Sequence, residues 1–360
     1  MDNRSILLYP FSLIYNVVTS VRNFLYDKGV FKTVQYGIPV ICVGNITVGG
    51  TGKTPHTEYI VRLLKKEYRV AVLSRGYKRK SKGFRFASKN STVDEIGDEP
   101  LQIFRRFPDI AVVTDSNRNR GIETILKKRP DTDVIIMDDG FQHRSVTPGL
   151  SIVLCDHGRP VYEDHLLPYG NLRETRKSLG RADLIVVTKT PAGFSLDPDG
   201  AFYKGLRKYY SGDVVFTSID YKEFVPVFPK SSYNMAPVLK QNDEDTGIVL
   251  ITGIANPKPL IDHLGAIFNE VVHLEFPDHH RFSANNIKSI SDAFDKLNTI
   301  RKFIVTTEKD AVRLREFSEI TRPIQPFVYY LRLEIGFLEG NKEIFDKIIF
   351  DYVGKNQKNS

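Results

Sequence analysis

The sequence predicts an α/β fold: a parallel sheet covered by helices on both faces, a second, smaller α/β domain after it, and an amphipathic helix before it. Three observations carry this. Short apolar runs rich in β-branched residues recur at 38–43, 70–73, 110–113, 134–137, 152–155 and 184–187, with polar or helix-like stretches between them. Strands buried on both faces read this way. The pattern falters near residue 220 and resumes with runs at 247–253, 271–276 and 303–306, alternating with helical stretches from Pro259 and from Ala284. Before the sheet, Leu7, Phe11, Ile14, Val18, Val21 and Leu25 follow one another in steps of 4 and 3, an apolar stripe along a helix over 4–28. The expected division is 1–30 for the helix, 31–222 for the sheet domain, 223–246 for a linker holding Pro226 and Pro229, and 247–354 for the smaller domain.

With 360 residues, 41% of them apolar, the chain can build two cores. Its formal charge of +8 calls for an anionic partner: nucleotide phosphate, an acidic membrane surface or nucleic acid. Nucleic acid is the weakest of the three. The basic residues cluster only at Lys78–Lys82 and have no interleaved aromatic platform. Cys42 and Cys155 each sit inside an apolar run and form no C-x-x-C pair, which argues against disulfides and structural zinc. In the first helix Pro10, Asn16 and Arg22 make a poor bilayer span, and no small-residue cleavage site follows. Two readings stay open there: a helix lying in a membrane interface, or one covering the protein's own core.

The run at 38–43 leads into Gly44-Asn-Ile-Thr-Val-Gly-Gly-Thr-Gly-Lys-Thr-Pro55, and a helical stretch follows from Thr57. Strand, glycine loop and helix bring successive backbone N–H groups and the positive end of a helix dipole to one point, which suits a nucleotide's phosphates. Thr47, Val48, Gly49, Gly50, Thr51 and Gly52 would wrap those phosphates. Lys53 would reach the outer ones, and the Thr54 hydroxyl would ligate Mg2+. The usual spacing puts glycine where this chain has Thr47, but Gly49, Gly50 and Gly52 still let the backbone curl around an anion. The sheet domain is therefore expected to be P-loop NTPase-like.

In parallel sheets the chemistry gathers at the carboxyl ends of the strands. Those positions carry Ser74-Arg-Gly-Tyr77, Thr114-Asp-Ser-Asn-Arg118-Asn-Arg120 and Asp138-Asp-Gly-Phe-Gln-His143. The adjacent Asp138 and Asp139 are what a Mg2+–ATP site needs. The segment Asp94-Glu-Ile-Gly-Asp98-Glu-Pro100 reads by density as a solvated loop, although Asp98 or Glu99 could accept a hydroxyl proton. In the smaller domain Phe276-Pro-Asp-His-His280 follows a strand. No third ligand stands at helical spacing, so an imidazole assisting a carboxylate fits better than a metal site. Guanine readers of this class carry Asn-Lys-x-Asp after a late strand; Thr188-Lys-Thr-Pro191 lacks the aspartate, which favours ATP over GTP.

Seven ordered blocks together resemble the bacterial tetraacyldisaccharide 4′-kinases of lipid A synthesis: Gly49-Gly-Thr-Gly-Lys-Thr-Pro55, Arg75-Gly-Tyr77, Gly97-Asp-Glu-Pro100, Asp138-Asp-Gly-Phe-Gln-His143, Leu167-Pro-Tyr-Gly-Asn-Leu-Arg-Glu174, Phe276-Pro-Asp-His-His280 and Thr307-Glu-Lys-Asp310. The resemblance runs from the first helix to about residue 315. It implies transfer of the ATP γ-phosphate to the 4′-hydroxyl of a lipid A disaccharide 1-phosphate, by a peripheral protein at the cytoplasmic face of the bacterial inner membrane. It also implies Lys53 and Thr54 on phosphate and Mg2+, Asp138 and Asp139 as the metal-binding pair, Asp98 as catalytic base, and His279 in preference to His280 as its partner. Arg118, with Arg120 an equal candidate, would be a catalytic arginine on the phosphates, and Asn171, Glu174 and Arg75 would bind the acceptor. Because Asp98 and His279 fall in different domains, closure is expected to complete the site. The rival reading is a P-loop nucleotide-hydrolysing switch or metal-insertion protein.

Overall fold

The computed structural model describes residues 6–191, 193–197, 200–229, 243–317 and 321–357. They fall into two compact units, one of residues 1–219 with 335–360, the other of residues 220–334.

The first unit starts with α1 (Tyr9–Asp27), then β1 (Val40–Asn45), α2 (Lys53–Leu64), β2 (Val70–Ser74), β3 (Arg85–Phe86), α3 (Val93–Ile96) and α4 (Asp98–Arg106). Next come β4 (Ala111–Thr114), α5 (Arg118–Lys128), β5 (Val134–Asp138), β6 (Leu150–Asp156), β7 (Leu184–Thr188), α6 (Ala201–Arg207) and the start of β8 (Asp213–Pro226). The strands lie in the order β8-β7-β6-β1-β5-β2-β4-β3. All pair in parallel except the short edge strand β3, which runs against β4. Side chains alternate across this sheet. Val40 and Cys42 of β1 face one core with Ile122 and Ile125 of α5, while Ile41 and Val43 face the other with Ile60, Val61 and Leu64 of α2. Both faces are covered, which is why the strands read as continuous apolar runs.

The second unit holds β9 (Asp243–Thr252), α7 (Lys258–Gly265), β10 (Phe268–Glu275), α8 (Ala284–Lys296), β11 (Arg301–Thr307), α9 (Glu308–Leu314) and most of β12 (Val328–Phe337). Its strand order is β10-β9-β11-β12, all parallel. Ile248 and Leu250 pack toward α7, Val249 and Ile251 toward α8.

The chain divides differently from the sequence expectation at its end. Residues 335–360 return to the first unit, where α10 (Asn341–Gln357) lays Phe345, Ile349 and Val353 on the α2 core, and Tyr352 exchanges hydrogen bonds with the Val40 backbone. The expected linker is also narrower than 223–246. β8 extends to Pro226 and β9 opens at Asp243, and 230–242 lies outside the described residues.

Helix α1 is inverted relative to a core helix. Its only buried residues are the polar Ser12 and Thr19, while Phe11 is 60% and Val18 61% exposed and Leu7, Ile14 and Val21 share that outer face. The apolar stripe does not cover the core of the chain.

Candidate active site

The loop between β1 and α2 is held from several sides. Asn45, fully buried at the end of β1, donates its amide to Thr51 Oγ1 at 2.7 Å, and Gly49 and Gly52 adopt φ of +94° and +85°, which favour glycine. His56, one turn into α2, donates from Nδ1 to the Gly52 carbonyl (2.7 Å), so its Nε2 accepts from Thr217 (3.0 Å). Burial pushes the His56 imidazole down to about 4, and it stays neutral. On the outer side Val48 N–H donates to the Asn171 carbonyl (2.8 Å) and Arg173 N–H to the Ile46 carbonyl (2.7 Å). The block 167–174 therefore lies directly against the loop.

Lys53 points at the strand-end carboxylates. Its Nζ is 3.6 Å from Asp139 Oδ1, and Arg173 completes the cluster with Nη2 on the same oxygen at 2.9 Å. Burial opposes the Asp139 charge, but the Lys53 and Arg173 cations prevail and hold its carboxyl down at about 2. Asp138, its neighbour, is different. It is buried, accepts one hydrogen bond from Thr57 (3.2 Å), and its Oδ2 has no partner among the described residues; burial first, and then the Asp139 charge, push its carboxyl up. Thr54 stands beside Lys53 at the start of α2. An orphaned buried carboxylate oxygen, a second carboxylate and a helix-start hydroxyl fit a hydrated Mg2+, which takes few protein ligands and completes its shell with phosphate and water.

Arg118 and Arg120 prove to be unlike. Arg118 is 1% exposed and donates to the backbone carbonyls of Asp115 (2.6 Å) and Asp138 (3.1 Å), tying the ends of β4 and β5 together; burial pushes its guanidinium down to about 10. Arg120 pairs with Asp115 (2.7 Å) at the surface and, with Arg75, Tyr77, Arg79 and Lys82, lines an open cleft of about 940 Å3. The acidic segment 94–100 is not a solvated loop. It forms α3 and the start of α4, and Asp98 is 2% exposed, its Oδ1 accepting the Glu99 N–H at 3.0 Å. Thr92 and Glu95 close a capping box, which turns a dense run of carboxylates into helix starts.

The polar side of α1 docks on this site. Ser12 donates to the Leu166 carbonyl and accepts from Tyr169 N–H, both at 2.9 Å, and Tyr15 donates to the Arg173 carbonyl (3.0 Å). Asn23 reaches Glu174 at 3.4 Å, while Arg22 bonds the Gln142 carbonyl. Glu174 is buried against Arg181, and its Oε1 has no partner among the described residues.

His279 and His280 belong to the second unit. His279, at φ +64°, has Lys309 3.3 Å from Nε2 and Arg313 3.2 Å from Nδ1. Arg313 is itself paired with the fully buried Asp310 (2.8 Å). Two cations at its ring nitrogens make His279 a poor metal ligand. His280 stacks on Phe276 and bonds Asn286 (2.9 Å).

Three contributors escaped the sequence reading: Asn45, His56 and Arg173. Arg173 stood within the quoted block 167–174, but nothing in its spacing tied it to Asp139 or to Asn45, which its guanidinium also contacts.

A glycine loop running from a central strand into a helix, with its lysine beside strand-end carboxylates, places the first unit in the P-loop NTPase-like class. The family model for tetraacyldisaccharide-1-P 4′-kinase, LpxK, matches residues 4–352, and the chain belongs to that family. It is thus a phosphotransferase of lipid A biosynthesis. The tetraacyldisaccharide 4′-kinase of Phocaeicola vulgatus is 45% identical over 98% of this chain and 96% of its own. That of Bacteroides thetaiotaomicron is 44% identical over 98% and 94%. Among solved structures, the LpxK of Aquifex aeolicus in complex with ATP superposes with a TM-score of 0.72 at 29% identity, covering 96% of this chain and 98% of that one.

Proposed function

We propose that this chain uses ATP with Mg2+ to phosphorylate the 4′-hydroxyl of a lipid A disaccharide 1-phosphate at the cytoplasmic face of the inner membrane. The observation that carries the reading is the placement of Lys53 beside Asp139 at the mouth of the glycine loop, with the orphaned Asp138 oxygen next to it. Thr47–Thr54 cradle the phosphates. Thr54, Asp138 and Asp139 would hold Mg2+, and that ion would supply charge stabilisation to the transferring group. Arg118 acts by fixing the backbone that presents Asp138.

A sugar hydroxyl is a weak nucleophile, so a base must take its proton as it attacks. Asp98 is assigned that role, and His279 is assigned to assist the proton transfer. Asn171 and Arg75 are assigned to the acceptor, and Glu174, buried against Arg181, is assigned to hold the block 167–174 that meets it. Lys53 and Arg173 hold Asp139 ionised, and Lys53, at the start of the helix that follows the glycine loop, is assigned to the outer phosphate oxygens.

Among the described residues no helix is long and apolar enough to cross a membrane. The exposed stripe of α1 supports a peripheral helix embedded among anionic headgroups, with the acyl chains of the acceptor beside it.

Substitution tests the assignment. Asp98→Asn and His279→Ala proteins are expected to bind ATP as the parent does and to lose transfer to the lipid acceptor by about 10²-fold or more. Near-parental turnover in either removes that residue from the catalytic set.

A further inference from the structure

Besides Lys53 and Arg173, a third cation lies against the phosphate loop, and nothing above gives it work. Strand β6 ends at Asp156, and the chain turns at once: Gly158 N–H donates to Asp156 Oδ1 (3.0 Å) and Arg159 N–H to the Asp156 carbonyl (3.1 Å). This turn aims Arg159 at the loop. A Cβ built on Gly49 would stand 3.4 Å from Arg159 Nη2 and 3.6 Å from Nη1, so the guanidinium rests on the bare face of that glycine. Its carboxylate neighbour is already engaged. Asp156 holds Lys189 at 2.7 Å and Arg159 only at 3.7 Å, and the Arg159 side chain remains 46% exposed. The guanidinium is thus directed by its turn without being saturated by its ion pair.

Gly49 lies three residues before Gly52, in the part of such loops that arches over the outer phosphates of a nucleotide. We propose that Arg159 is an arginine finger supplied in cis: its guanidinium contacts the γ-phosphoryl oxygens during transfer, which makes it a catalytic residue. The proposal rests on the kinase reading above. In the reaction the acceptor oxygen forms a bond to the γ-phosphorus while the bond from that phosphorus to the β–γ bridging oxygen breaks. ADP leaves with the electron pair, and the hydroxyl proton passes to Asp98. Negative charge is spread over the moving phosphoryl group and the bridging oxygen, and a planar fork of donors can meet two of those oxygens together. A glycine at position 49 leaves the space that the guanidinium occupies. A mere surface ion pair at 3.7 Å would contribute little, so the two roles differ widely in what they predict.

The full-length protein in mixed micelles with a lipid disaccharide 1-phosphate provides the test, and transfer by the parent is established first, so failure of the kinase reading shows there and not in the variants. Arg159→Ala is expected to lower kcat on the order of 10³-fold while ATP binding stays within about threefold of the parent. Added guanidinium ion is expected to restore part of the lost rate to Arg159→Ala and none to Lys53→Ala. Arg159→Lys keeps the charge and the turn, serves if the alanine variant does not fold, and is expected to lose most of the rate as well. A kcat within about threefold of the parent in a folded variant, or a loss confined to ATP binding with kcat intact at saturation, overturns the proposal.

Discussion

Asp138 and Asp139 are adjacent in sequence and opposite in state. Two cations keep the half-exposed Asp139 ionised, whereas burial and its neighbour's charge raise the proton affinity of Asp138. Removing the Asp139 charge leaves Lys53 and Arg173 facing each other, so Asp139→Asn is expected to lose at least about 10²-fold in kcat, read in the same transfer assay. His56 gives a test in the acid range. Its folded value of about 4 lies below the ordinary 6.5, so between those pH values the unfolded chain binds a proton that the folded chain refuses. Stability from this group is complete above pH 6.5 and lost as pH falls toward 4, by up to about 3 kcal/mol. Urea midpoints at pH 7 and pH 4.5 are expected to differ less in His56→Asn than in the parent; an unchanged difference refutes the assignment. Lys53, Asp138 and Asp139 were legible because a motif names them. Asn45, His56 and Arg173 were not, since their partnerships with Thr51, Thr217 and Asp139 depend on how the loops fold back.

Among the elements, α1 has the least ordinary placement: its polar side serves as its docking face and its apolar side is left outside. Helical periodicity showed the stripe, but amphipathicity alone cannot tell which side faces protein; that took Ser12, Tyr15 and Asn23 bonding the block beside the loop. Val18→Asp is expected to cut binding to anionic vesicles about tenfold or more while changing stability by no more than about 0.5 kcal/mol, since Val18 lies on the outer face and is 61% exposed. Unchanged vesicle binding would return the stripe to an unexplained surface. In the second unit, Arg313→Met strips the buried Asp310 of its ion pair and is expected to cost about 3 kcal/mol, measured by denaturant unfolding. Charge density over 94–100 points to a solvated loop, whereas the Thr92–Glu95 capping box starts α3 there, a signal that density alone does not carry.

At the scale of the molecule, two parallel-sheet units were visible in the alternation of apolar runs and helical stretches. Their ends were not. β12 and α10 follow the last strand expected of the smaller unit, and only tertiary packing sends the tail back to β1, where Tyr352 meets Val40. Family membership supplies the reaction, and the cluster of Lys53 with the aspartate pair is the site proposed for it. The most direct measurement is incubation of the protein with γ-labelled ATP, Mg2+ and a lipid A disaccharide 1-phosphate, followed by locating the label on the product, with Lys53→Ala in parallel. Label on the 4′-oxygen with the parent, and transfer lowered by orders of magnitude with Lys53→Ala, is the expected result; equal labelling by the two proteins would contradict the site described for the phosphate loop.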